Sequence, residues 1–165
     1  NGMINGLTAK LADRIILRSS DGLNNAEKRY PKYKNKLHKV DLWYSFPQYC
    51  PPKGNTILFF GRMNRYKGID CLLELVKKTP DLQYVVAGKA DDSVGDTVEE
   101  LRKMPNVKLD EGVIPYDKMH DYFYNARCTI LPYETATQSG VVLDAYKHSR
   151  PAVMSEHWAN RLMTG

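Results

Sequence analysis

The chain has 165 residues, 42% hydrophobic and 26% charged, with a formal net charge of +5. That length supports one compact domain with a real core, and the composition is that of an ordinary globular protein. No apolar run approaches the length of a membrane span, no cleavable signal segment is visible, and no His/Cys cluster has metal-ligand spacing. The three cysteines (Cys50, Cys71, Cys128) are odd in number, widely spaced and form no CxxC pair, so a reduced, cytosolic protein is expected.

Taken in chain order, residues 9–18 read as a helix end running into a strand at 14–18, RIILR. KRYPKYKNKLHK (28–39) interleaves lysine with tyrosine and carries much of the positive excess. It reads as a solvated basic loop and helix end; an acidic lipid or nucleic-acid surface is the other reading of such a run. No DNA- or RNA-binding motif accompanies it, and nucleic acid is not an expected partner. Residues 38–47 read as a further strand, and CPPKGN (50–55) as a linker or tight turn.

From there the pattern is regular. Apolar runs rich in Ile and Val lie at 56–60 (TILFF), 83–87 (QYVVA), 106–109 (NVKL), 128–132 (CTILP) and 151–155 (PAVMS). Nearly continuous apolar runs of this length fit strands buried on both faces of a parallel sheet. Between them lie helical patterns. Ile69, Leu72, Leu73 and Val76 share one face of 68–79. Val98, Leu101 and Met104 share one face of 97–104, where Thr97 and Glu100 have the spacing of a capping box. Met119, Tyr122, Phe123 and Ala126 do the same in 116–126, as do Val141, Val142, Ala145 and Tyr146 in 140–148. Strand then helix, repeated about four times, predicts an α/β fold with a doubly wound parallel, Rossmann-like sheet. Both ends of the sequence look cut, the start entering in mid-element and the end stopping soon after a strand, so a fragment of a larger protein is expected.

In an open α/β sheet, ligands bind outside the carboxyl ends of the strands. GRMNRYKG (61–68) follows the first strand of the alternation. Gly61 allows close approach there, Arg62 can fork onto two phosphate oxygens and Lys67 can supply a point charge. YETATQSG (133–140) follows the strand at 128–132. Thr137, Gln138, Ser139 and Gly140 leave backbone N–H groups uncovered where a helix begins, which suits an anion. Asp144, one turn further in, could accept from sugar hydroxyls. The bland alternatives are a solvated charged turn at 61–68, a hydroxyl cap at Thr137 or Ser139, and a solvent-facing carboxylate at Asp144.

ILFFGRMNRYKGID (57–70), YVVAGKAD (84–91), NVKLDEGVIPYDKMHDYFYNARCTILPY (106–133) and SGVVLDAYKHSRPAVMSE (139–156), in this order, resemble the C-terminal donor-binding domain of glycosyltransferase family 4, one half of a GT-B architecture. The resemblance covers roughly residues 55–156. It implies a nucleotide-sugar-binding Rossmann-like domain over 51–165, truncated at its C-terminus, with 1–50 as edge elements from or bordering an N-terminal acceptor domain that is missing. It implies that Arg62 and Lys67 act on the donor diphosphate, that the backbone around Val113 and Ile114 reads the base, and that Gly88 lets the chain pass close to the nucleotide. Family members carry two glutamates eight positions apart. Here Asp144 stands in place of the second, Ala136 in place of the first, and Glu134 lies two positions earlier. The family's Gly-Gly loop after the last strand is not found in EHWANRLMTG.

The implied activity is retaining transfer of a sugar from a nucleotide diphosphate sugar to a polysaccharide or lipid-linked acceptor. No metal or other cofactor is expected; no Asp-x-Asp motif is present. The expected location is cytoplasmic, with peripheral contact to the inner membrane face suited to the basic run. A catalytically inactive nucleotide-sugar-binding domain and a nucleotide-sugar epimerase of the same architecture are the alternatives. His157 alone of the four histidines directly follows a strand, as an epimerase cleft would need.

Overall fold

The computed structural model describes residues 6–40, 49–135 and 139–156. Contacts divide the chain into two compact units, with described residues 6–40 in one and the remainder in the other. The small unit runs α1 (Gly6–Leu11), β1 (Ile15–Leu17), α2 (Ser20–Arg29), a 3₁₀ segment (Pro31–Lys36) and β2 (Leu37–Lys39). β1 and β2 pair in parallel over a core of Ala9, Ile15, Ala26 and Leu37. The basic stretch is thus more ordered than a loop. Ser19 caps α2 by accepting from the Gly22 N–H at 3.1 Å, and Pro31 opens the 3₁₀ segment, where its missing N–H costs nothing. Of the strand expected over 38–47, residues 38 and 39 belong to β2; 41–48 lie outside the described residues.

The larger unit alternates as expected. Its elements are β3 (Thr56–Phe60), α3 (Ile69–Lys78), β4 (Tyr84–Gly88), α4 (Gly95–Lys103), β5 (Val107–Glu111), α5 (Tyr116–Asn125), β6 (Ala126–Leu131), α6 (Gly140–Lys147) and β7 (Ala152–Met154). All five strands pair in parallel, in the order β5-β4-β3-β6-β7. Successive residues of β3 serve opposite faces. Phe59 joins Tyr84, Val86 and Ile130 under α3 and α4, whereas Leu58 and Phe60 pack with α5 and α6. Ile69, Leu72, Leu73 and Val76 of α3 are all buried, each worth roughly 1.5–3 kcal/mol of transfer free energy.

Three local readings change. Thr97 does not cap α4, because a 3₁₀ turn at Asp92–Val94 starts the helix earlier; its hydroxyl instead donates to Asp70 Oδ1 at 2.5 Å. Ala126 opens β6 rather than closing α5. Residues 50–55 are anchored to their own unit: Cys50 N–H donates to Ser149 Oγ and Lys53 N–H to the Tyr124 carbonyl. The three cysteines are unpaired, and Cys71 faces outward although its run is apolar. Among the described residues no helix is long and apolar enough to cross a membrane.

Candidate functional site: a cationic crevice between β3 and β6

The chain steps outward from β3 through β4 to β5, then returns to the other side of β3 with β6 and β7. Strand order therefore reverses between β3 and β6, and beyond the carboxyl ends of such a pair is where folds of this kind form a crevice. The segments that follow these two strands are 61–68 and 132–140.

The first segment extends the sheet before it turns. Gly61 N–H donates to the Ala87 carbonyl, Met63 N–H to the Lys89 carbonyl, and Asp91 N–H to the Met63 carbonyl, at 2.8–3.0 Å. Met63 is fully buried, so alternation turns Arg62 outward, where its Nη1 lies 3.6 Å from Asp91 Oδ1. Buried Asn64 accepts from the Lys67 N–H at 3.1 Å and closes the turn that carries Lys67. The Lys67 ammonium folds back toward Gly61. It lies 3.1 Å from the point a Gly61 Cβ would occupy, and Val141 Cγ2 of α6 lies 3.7 Å from that same point. It also sits 5.6 Å from the centre of the Tyr133 ring. Lys67 and the first turn of α6 thus flank one spot of backbone.

The second segment is laced to the first. Glu134 N–H donates to the Tyr66 carbonyl at 2.9 Å. Ser139 holds the position before α6 with extended backbone (φ −136°), yet its side chain makes no capping bond. The hydroxyl is buried instead, 3.4 Å from that of Tyr133. No acidic residue occupies the first turn of α6, so the positive end of the helix has no carboxylate of its own.

Electrostatics follow from this packing. Burial depresses the Lys67 ammonium below the ordinary lysine range; the nearby Arg62 guanidinium adds to this and Asp91 opposes it. Burial pushes the Tyr133 phenol up to about 12, against the Ser139 hydrogen bond, so it stays neutral. Burial raises Asp144 above the usual carboxylate range, against His148 and Lys147.

Arg62, Lys67, Gly61, Ser139 and Gly140 therefore come from two sheet-end segments at one crevice, and Asp144 lies one turn along α6. Thr137 and Gln138 lie outside the described residues. Val113 and Ile114 line a separate stretch of the same sheet edge, an open groove of about 990 Å³ bounded also by Lys89, Arg102, Asp110 and Tyr122. Glu134 is exposed. Gly88 has a different neighbour from the one expected: a Cβ there would strike the Gly61 carbonyl, so its bareness serves loop packing. Gly140 is exposed and a Cβ would meet nothing. Sequence reasoning passed over Asp91, Asn64 and Tyr133. Nothing local marks them, because their roles depend on partners across the sheet edge. Among the described residues no group of three His, Cys, Asp or Glu side chains could hold a metal ion.

The fold has solved counterparts. A mutant of S. aureus TarM, in complex with Fondaparinux, α-GlcNAc-glycerol and UDP, superposes with a TM-score of 0.66 at 17% identity, over 88% of this chain and 30% of that one. The pneumococcal O-GlcNAc transferase GtfA, in complex with UDP and GlcNAc, gives 0.64 at 13%, over 90% and 31%. Anabaena HepE, in complex with UDP and glucose, gives 0.67 at 14%, over 91% and 46%. The chain thus spans between about a third and a half of these proteins. No curated protein sequence matches it significantly. The sequence profile of glycosyl transferases group 1 matches residues 54–164, two thirds of the chain and nearly all of the unit that forms the crevice, so the chain belongs to that family, with the Rossmann-like sheet of a GT-B enzyme.

Proposed function

We propose that the crevice between β3 and β6 binds the diphosphate of a nucleotide sugar, and that the protein transfers the sugar to a saccharide or lipid-linked acceptor. The observation that carries this reading is Lys67: a largely buried ammonium, crowded by Arg62, beside the start of α6, which the Ser139 side chain does not cap. Such a place favours an anion. A diphosphate would reach Lys67, the Arg62 fork and the α6 amides together, while the base would lie toward Val113 and Ile114. UDP in the TarM, GtfA and HepE structures supports that choice of ligand.

In the reaction, the bond between the anomeric carbon and the leaving phosphate oxygen breaks, an acceptor hydroxyl oxygen forms the new bond to that carbon and gives up its proton to the departing diphosphate, and negative charge grows on the diphosphate as it leaves. Two fixed cations and a helix end are preorganised for that charge. They can act without a divalent ion, so transfer is proposed to be metal-independent. Retention of anomeric configuration rests on the family resemblance. Asp144 is proposed to accept from the ribose hydroxyls, and Glu134 to contact the sugar.

Thermal-shift titration against UDP, GDP, ADP and TDP sugars tests the reading. One nucleotide class is expected to raise the melting temperature, with inorganic pyrophosphate competing. Absence of a shift with all four would sink it.

A further inference from the structure

We propose that Tyr133 is the positioning residue of this phosphate site: its ring face seats the Lys67 ammonium, and its hydroxyl holds Ser139 at the head of α6. The inference rests on the donor-site reading above and names the side chain that sets the site's two positive elements in register.

Tyr133 is 2% exposed and packs with Leu131 and Val142. A phenylalanine would satisfy that packing equally well. Tyrosine adds two things. Its ring lies 5.6 Å from Lys67 Nζ, within reach of a cation–π contact, and its hydroxyl lies 3.4 Å from Ser139 Oγ. The backbone around it is held from three sides. Ser155 Oγ donates to the Tyr133 carbonyl at 2.5 Å, and Glu134 N–H donates to the Tyr66 carbonyl. The Pro132 carbonyl lies against Gly68. Ring and hydroxyl are therefore fixed, and what they touch is fixed with them. An unseated lysine carries four rotatable bonds and would lose binding energy by being ordered when the phosphate arrives. Seated on the ring, it is ordered beforehand.

Calorimetric titration of the chain with UDP, or with whichever of GDP, ADP and TDP the thermal-shift panel selects, tests this. Tyr133→Leu removes ring and hydroxyl together and is expected to weaken binding more than Tyr133→Phe does, the ring alone accounting for about two- to thirtyfold. Tyr133→Phe keeps the ring and is expected to lose only about two- to tenfold, for the hydroxyl. In a Lys67→Met background, Tyr133→Leu is expected to lose no more than Tyr133→Phe loses, because the ring then has no ammonium to seat and only the hydroxyl is missed. The pH profile gives a second readout. Lys67 is faced by Arg62 on its own loop, by Asp91 from the segment after β4, and by the Tyr133 ring. Without the ring the ammonium loses a stabilising neighbour, so the alkaline loss of binding is expected at lower pH in Tyr133→Leu and not in Tyr133→Phe.

A wild-type chain that binds none of the four diphosphates overturns the donor-site reading and this inference with it. Wild-type affinity in Tyr133→Leu, or additive losses in the Lys67→Met background, overturns this inference alone. If Tyr133→Leu does not fold, Tyr133→Phe and Ser139→Ala decide the matter: coupled losses support the proposal, and additive ones overturn it.

Discussion

Lys67 shows how one residue carries opposed demands. A lysine ammonium is best solvated by water, and here most of that water is gone and an arginine stands nearby. Its pKa is accordingly lower in the folded chain than in the unfolded one. A base shifted that way opposes folding wherever the unfolded lysine is charged, and the penalty fades as pH rises through the folded value. Replacing it by an apolar side chain of similar length should therefore stabilise the empty chain. Lys67→Met is expected to raise the urea midpoint at pH 7, with the gain shrinking at alkaline pH, and to reduce the thermal shift given by nucleoside diphosphate. A lower midpoint would mean that Asp91 and the Tyr133 ring already outweigh desolvation. A site that costs stability when empty is what a preorganised anion pocket implies.

At the scale of elements, the site is a junction between two strand-to-helix turns. The turn after β3 must cross the one after β6 closely, and Gly68 is where it does so. Gly68 has left-handed backbone (φ 73°) between the 3₁₀ turn and α3, and a Cβ would run into the Pro132 carbonyl. Gly68→Ala is expected to cost about 1–2 kcal/mol from backbone strain alone, more once the loops are pushed apart. Urea unfolding measures the loss. Donor affinity should fall with it, because Lys67 and Tyr133 sit on the two loops being separated. A second junction lies at the other end of the sheet. Arg150 is 1% exposed and donates from Nε to the His148 carbonyl at 2.7 Å, from Nη1 to the Ala126 carbonyl at 3.2 Å and from Nη2 to the Cys50 carbonyl. One guanidinium thereby fastens the end of α6, the start of β6 and the segment leading to β3, a use of the planar fork that lysine could not reproduce.

At the scale of the whole molecule, charge is divided as sharply as structure. Residues 6–40 hold nine Lys and Arg against three Asp and Glu, whereas the rest of the chain holds 15 against 16. The positive excess thus belongs to the small unit, with Lys28, Arg29, Lys32, Lys34 and Lys39 all exposed. A lipid-linked acceptor would bring an anionic surface to such a unit, each basic group near it being worth about 1 kcal/mol. The chain is expected to co-sediment with phosphatidylglycerol vesicles and not with phosphatidylcholine vesicles, less so as salt rises. Replacing Lys28, Arg29, Lys32 and Lys34 by serine should weaken that binding at least about tenfold. Equal binding to both vesicle types would remove the lipid-surface reading.

The alternation of strands and helices was legible in the amino-acid sequence because hydrophobic periodicity is local: each strand of the larger unit and the buried face of α3 could be read within a dozen residues. The composition of 61–68 and the beginning of α6 at Gly140 were legible for the same reason. Which of these segments meet was not. Strand order, with its reversal at β3 and β6, depends on pairing between residues about 70 positions apart, such as Ile57 with Cys128. The contact of Lys67 with Tyr133, the pairing of Arg62 with Asp91 and the packing of Gly88 against Gly61 arise only once the sheet has formed. Local pattern determined the parts and their chemistry; close packing and through-space electrostatics, which act without regard to chain distance, decided that those parts make one crevice.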